Sequence, residues 1–171
     1  MPAGGLHPGL RLISYLFSYP DQSPAPAPIP MEMEAGPLLK AMRGLAPVRL
    51  QNEYVRLFIN ALPEVPCAPY GSVYLEGSIM GESTGTVRGI YRKYGMETPE
   101  LPDHIAVESE FLAWLHGVAG GDRAARKDYD YLLGHLKAWS GLFFDQVERH
   151  DQLGCYRRSA RLARAILSRI S

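Results

Sequence analysis

Apolar residues recur along the chain at the spacing of one face of an α-helix, and the pattern restarts after each proline or glycine cluster. Leu6, Leu10, Ile13, Leu16 and Phe17 form the first stripe and predict a core-facing helix. Leu50, Tyr54, Leu57, Phe58 and Ala61 form the second, opened by Pro47 and expected to close near Leu62, before Pro63. A third carries Val87, Ile90, Tyr91 and Tyr94, with Ser83 or Thr84 as candidate cap and Gly95 as stop. Pro102 is expected to open a fourth, which holds Ile105, Phe111, Leu112, Trp114, Leu115 and Val118 and ends at Gly120 and Gly121. Tyr129, Leu132, Leu133 and Leu136 predict a fifth helix, and Leu142, Phe143 and Val147 a sixth, with a break around Ser140 and Gly141. Tyr156, Ala160, Ala163, Leu167 and Ile170 predict a C-terminal helix, with Arg157, Arg161 and Arg164 on its solvated side.

Two segments fall outside this rhythm. Residues 20–30 hold Pro20, Pro24, Pro26, Pro28 and Pro30, which stiffen the chain toward polyproline II and predict a surface connector. Residues 63–81 combine Pro63, Pro66 and Pro69 with Tyr70, Val73, Tyr74, Leu75 and Ile79, too apolar for a plain linker; this segment is expected to be irregular yet ordered against the core.

Composition sharpens the fold class. Leu and Ala dominate over Val, Ile and Thr, which favours helix. A chain of 171 residues with 46% apolar positions is enough for one buried core. The expectation is an all-α single domain over residues 1–171, a bundle of about seven or eight helices. No apolar run approaches the roughly 18 residues of a spanning helix, so stable membrane insertion is not expected. Leu12 to Phe17 is short and follows no basic cluster, so the mature chain is expected to keep it. Cys67 and Cys155 form no paired motif and read as reduced thiols of a cytosolic protein.

Charge changes the picture more. Eighteen basic and eighteen acidic residues cancel, which argues against bulk attraction to nucleic acid. The distribution is uneven. Leu57 to Val87 contains no Lys or Arg against Glu64, Glu76 and Glu82, and Tyr94 to Gly121 none against Glu97, Glu100, Asp103, Glu108 and Glu110. If those stretches meet, they form an acidic surface suited to a cationic ligand.

Candidate chemistry is sparse. Gly81, Ser83 and Gly85 spell the nucleophile elbow of serine hydrolases, but that motif needs a strand before the serine, and a helix cap explains the same residues. His104 and Glu108 share a helical face at metal-ligand spacing without a third ligand; the remaining histidines are scattered and read mostly as surface residues. Asp103 and His104 are placed in the first turn of the helix opened by Pro102, where both side chains would project outward; Asp103 as a mere helix-start residue is the structural alternative. An arginine-faced helical adaptor and a Ser83 hydrolase are the rival function classes.

Taken in order, Glu53-Tyr-Val-Arg-Leu-Phe58, Pro69-Tyr-Gly-Ser-Val-Tyr74, Gly81-Glu-Ser-Thr84, Pro102-Asp-His104 and Glu108-Ser-Glu-Phe-Leu112 resemble the TorD/DmsD/NarJ family of redox-enzyme maturation chaperones. The opening, which ends Ser18-Tyr-Pro-Asp21, is similar to the NarJ branch. The resemblance implies an all-helical cytoplasmic chaperone, not an enzyme and with no cofactor of its own, as monomer or homodimer. It would bind the twin-arginine signal peptide, or the N-terminal region, of the apo catalytic subunit of a molybdopterin oxidoreductase until cofactor is loaded. Carried over by position, peptide binding falls to Leu57, Phe58, Pro69, Tyr70, Tyr74, Pro102, Asp103, His104 and Glu108. Tyr70 and Tyr74 stand where DmsD-like members often have tryptophan, and Ser109 where an apolar residue is usual, which implies a different preferred peptide.

Overall fold

The computed structural model describes residues 6–26 and 32–171. Among these described residues eight α-helices follow in order: α1 (Pro8–Phe17), α2 (Glu32–Arg43), α3 (Pro47–Tyr54), α4 (Gly71–Glu76), α5 (Glu82–Lys93), α6 (Ile105–Ala119), α7 (Arg123–His150) and α8 (Cys155–Arg169). A π-helical turn, Val55–Ile59, continues α3, and there is no strand among the described residues. The heart of the bundle is α1, α6, α7 and α8 packed on one another, with α2 against α8 and α4 against α7 and α5. The fold is therefore all-α, as the helical period predicts.

The elements follow from local chemistry. Pro8 opens α1, and the His7 Nδ1 accepts the Leu10 amide at 3.3 Å as its cap. Leu10, Leu12, Ile13, Leu16 and Phe17 bury the inner stripe, while Leu6 stays exposed. Gly95 adopts φ 69° beyond α5, where its amide donates to the Arg92 carbonyl at 3.0 Å and the Met96 amide to that of Tyr91 at 3.1 Å. This is the left-handed glycine stop, in its doubly hydrogen-bonded form.

In five places the structure differs from, or adds to, the sequence reading. First, α7 is one continuous helix through Ser140 and Gly141. A glycine costs about 1 kcal/mol in a helix, but burial of Leu136, Trp139, Ser140, Phe143 and Phe144 in one stripe outweighs it. Second, α2 is a helix that the periodic stripes do not include; it forms although Pro37 lies inside it, with Ala35, Leu38 and Leu39 buried. Third, residues 63–81 are not wholly irregular, since they contain α4. Fourth, the second helix becomes a π-turn at Val55 and ends at Asn60, whose amide donates to the Val55 carbonyl at 2.8 Å. Fifth, Pro102 does not open α6; that helix begins at Ile105. Of the proline connector, residues 27–30 lie outside the described residues, and residues 18–26 carry no helix.

Candidate functional site

The predicted site residues converge on α4, but in an arrangement their sequence positions do not suggest. Two short segments meet as an isolated antiparallel bridge between Tyr70 and His104. The Gly71 amide donates to the Asp103 carbonyl at 3.0 Å and the Ile105 amide to the Pro69 carbonyl at 2.8 Å. Pro69 and Pro102 are buried here, and the Pro102 carbonyl accepts the Tyr91 hydroxyl at 2.9 Å.

Asp103 points inward and is 0% exposed. Its Oδ2 accepts the Ser72 amide at 2.9 Å and the Thr84 hydroxyl at 3.0 Å, so one carboxylate holds the start of α4 and ties α5 to it. The expectation of a freely projecting side chain is thus corrected: α4 needs an acceptor for its first amides, and Asp103 supplies it. His104 is buried as well, and its Nδ1 caps α6 by accepting the Ala106 amide at 3.1 Å. Burial lowers its pKa to about 4, against the opposing charges of Glu100 and Asp103. Tyr70 is half-buried, stacks edge-on against His104 at 5.3 Å, and donates to Glu100 at 3.2 Å. Burial and the Glu100 charge push its phenol up to about 12.

Glu108 is also 0% exposed. Its Oε1 lies 2.7 Å from the His135 Nδ1, and its Oε2 accepts the Trp139 indole N–H at 3.3 Å. Burial raises the Glu108 pKa despite the His135 hydrogen bond. In His135 burial acts downward, but the Glu108 hydrogen bond and charge prevail and the pKa is raised. His135 and Trp139 were invisible as site residues in the sequence; the surface reading of the histidines fails for His135, which is buried. A helical wheel of α7 places both on its inner stripe, the one signal that could have found them.

Leu57 and Phe58 belong to the core beneath this cluster. Phe58 meets Phe17 at 6.2 Å, Tyr54 at 4.9 Å, Phe143 at 5.9 Å and Tyr156 at 5.3 Å. Tyr74, half-buried, stacks on Trp139 at 5.8 Å and 15° and meets Phe143 at 6.2 Å. Of the apolar residues that reach solvent, Ile59, Leu62, Leu75, Ile79, Met80 and Leu142 lie near them in sequence, while Leu6, Tyr19, Val48 and Tyr131 lie in other parts of the chain. Leu62 is 96% exposed and Met80 65%. Leu142 follows Trp139 by three residues and precedes Phe143, so it borders the edge of α7 on which α4 rests. The two acidic stretches meet at the Tyr70–His104 bridge, where Tyr70 reaches Glu100; Glu64, Glu76, Glu82, Glu97 and Glu100 are exposed, Asp103 and Glu108 are buried, and Glu110 faces the cavity beside α1 instead.

The other readings lose their footing. Ser83 lies in the first turn of α5 with no strand before it, and the cap there is the Glu76 carboxylate, which accepts the Glu82 and Ser83 amides at 2.6 and 2.9 Å. Among the described residues no group of three or more His, Cys, Asp or Glu could hold a metal ion. Of the α8 arginines, Arg157 is paired with Asp151 at 3.8 Å, Arg161 with Glu148 at 2.8 Å and Arg164 with Asp145 at 2.7 Å. A cavity of about 660 Å³ lies between α1, residues 18–26, α2 and α3, but it touches none of the predicted residues.

The profile described as nitrate reductase delta subunit matches residues 26–145, well over half of the chain. The chain belongs to the nitrate reductase delta subunit family. That family is of the NarJ/TorD chaperone type, so by family and fold the protein is a redox-enzyme maturation chaperone. A crystal structure of an Archaeoglobus fulgidus protein described as a redox enzyme maturation protein is 29% identical, with a TM-score of 0.63 over 93% of this chain and 90% of that one. No curated protein matches the sequence. No helix among the described residues is long and apolar enough to cross a membrane.

Proposed function

We propose that this chaperone acts in the cytoplasm, without catalysis, by binding the twin-arginine signal peptide or N-terminal region of a molybdopterin oxidoreductase catalytic subunit, and that it holds the apo subunit while cofactor is loaded. One observation carries the reading: Ile59, Leu62, Leu75, Ile79 and Met80 are exposed together with Glu64, Glu76 and Glu82 in the stretch from Leu57 to Val87, which includes α4 and holds no Lys or Arg, and Leu142 is exposed on α7, against which α4 packs. An apolar segment flanked by arginines complements that surface. Burying about 300 Å² of apolar peptide is worth on the order of 7 kcal/mol before ordering costs, against about 0.2 to 1 kcal/mol for each exposed ion pair. Apolar contact therefore sets affinity, and the acidic rim selects and orients.

In this reading Tyr70 and Tyr74 contribute the half-exposed wall. Leu57, Phe58, Pro69, Pro102, Asp103, His104 and Glu108 fix its shape from beneath. The test is titration of a peptide carrying paired arginines before an apolar run. Leu142→Glu and Met80→Glu should each weaken binding by at least about tenfold with little change in Tm, since both side chains are exposed. Replacing the peptide's arginines by glutamine should flatten the salt dependence. Unchanged affinity in both protein variants would contradict the reading.

A further inference from the structure

The cluster beneath α4 is unusual because it is titratable and buried at once. Gly71, the first residue of α4, approaches so closely that a Cβ there would fall 2.8 Å from the Trp139 Nε1 and 2.9 Å from the His135 Cε1. The backbone of α4 thus rests directly on the two side chains that Glu108 holds. The His135 Nε2 and the Asp103 Oδ1 are buried without hydrogen-bond partners. The groups facing the pair are Glu76 and Tyr74 from α4, Asp103 and His104 from the bridge, and Tyr91 from α5. None is a cation at neutral pH, because His104 is held neutral.

We infer that the Glu108–His135 pair is a proton-operated latch that holds α4 on α7 and controls access to the apolar contact beneath it. With one proton shared, the carboxylate is compensated and His135 keeps the orientation on which Gly71 packs. When that proton leaves, Glu108 and Asp103 become two buried carboxylates with no positive partner, and the cost is relieved by lifting α4 and admitting water. A six-residue helix has little stability of its own, so it is the element that yields. Lifting it uncovers Tyr74, Trp139 and Phe143. The raised pKa of both partners agrees in sign: the folded state favours the shared proton. What the opened surface receives rests on the peptide-binding reading above; the latch itself does not.

The experiment is amide hydrogen exchange of residues 71–76 in the full chain across about pH 6 to 9, corrected for intrinsic exchange, alongside NMR titration of the His135 ring. Above the pair's titration, α4 protection should fall by about tenfold per pH unit, the limit for one linked proton, while α8 amides stay flat. His135 should titrate above its ordinary value, in step with the α4 opening. Glu108→Gln removes the charge and keeps an acceptor, so its α4 exchange should lose the pH dependence. The latch is overturned if wild-type α4 protection is flat with pH, if Glu108→Gln retains the step, or if His135 titrates at or below about 6.5. The His135 titration decides the matter even if Glu108→Gln does not fold. These readouts need no client peptide, so a peptide that fails to bind refutes the functional reading alone.

Discussion

α8 and α4 both pack on α7, and they are built to opposite plans. In α8 the inner stripe of Tyr156, Ala160, Ala163 and Ile166 is apolar, and the outer arginines answer acids on α7. Around α4 the charges lie inside, as Asp103, Glu108 and His135, and the apolar residues Leu75, Ile79 and Met80 lie outside. The first arrangement is what burial energetics alone would select. The second costs desolvation within and leaves apolar surface wet without; Asp103, Glu108 and His135 each keep a hydrogen bond, but the Asp103 Oδ1, the His135 Nε2 and the Ser72, Ser83 and Ser109 hydroxyls have none. A region that departs from the stable plan in both directions is where a ligand is expected to complete it.

The sharpest way to break this comparison is to remove the carboxylate that starts α4. Asp103→Ala leaves the buried Ser72 amide and Thr84 hydroxyl without their acceptor, and hydrogen bonds to charged groups are the stronger kind. The expected loss is about 3 to 5 kcal/mol in urea unfolding. A loss below about 1 kcal/mol would mean that the inward charge is incidental.

The next effect is a pH dependence with two limbs. His104 has a folded pKa near 4, depressed from 6.5, so the folded state binds fewer protons there. Its contribution is complete above about pH 6.5 and is lost as pH falls toward 4, by up to about 3 kcal/mol. Glu108 and His135 are shifted upward, so their contribution is lost as pH rises instead. Thermal melts of His104→Asn, which keeps a capping acceptor, should show the acid limb flattened and the alkaline limb intact. An unaltered acid limb would assign it to other groups.

How far the sequence foretells this follows the same division. α1 and α8 are legible because their apolar residues keep the helical period and their charged residues stay off the buried stripe, Ser14 and Ser159 being the polar residues buried in them. α4 is illegible by period: six residues span under two turns, and what stabilises them comes from Asp103, which is thirty-odd positions away, and from α7. Ser140 and Gly141 mislead for a related reason, since local preference worth about 1 kcal/mol yields to burial of a whole stripe in α7. Asp103 and Glu108 are identifiable as special residues, yet their inward direction is tertiary information. Nothing local distinguishes an exposed carboxylate at a helix start from a buried one that caps a different helix. The exposed apolar residues follow once Leu57, Phe58 and Tyr74 are known to be covered, because their neighbours must then carry the surface.

The smallest effect belongs to α8. Arg161→Ala removes an exposed pair with Glu148 and should cost under about 1 kcal/mol, less at high salt. A larger loss would show that the orthodox side of the molecule also stores stability in its charges and would blur the contrast with α4.

The most direct measurement of the central claim is a hydrogen-exchange footprint of the chaperone with and without a peptide of paired arginines followed by an apolar run. The account predicts added protection at residues 59–62, 71–80 and 138–142, with α8 and the cavity beside α1 unchanged. Protection centred on α8 or on that cavity, with the α4 surface unaffected, would contradict it.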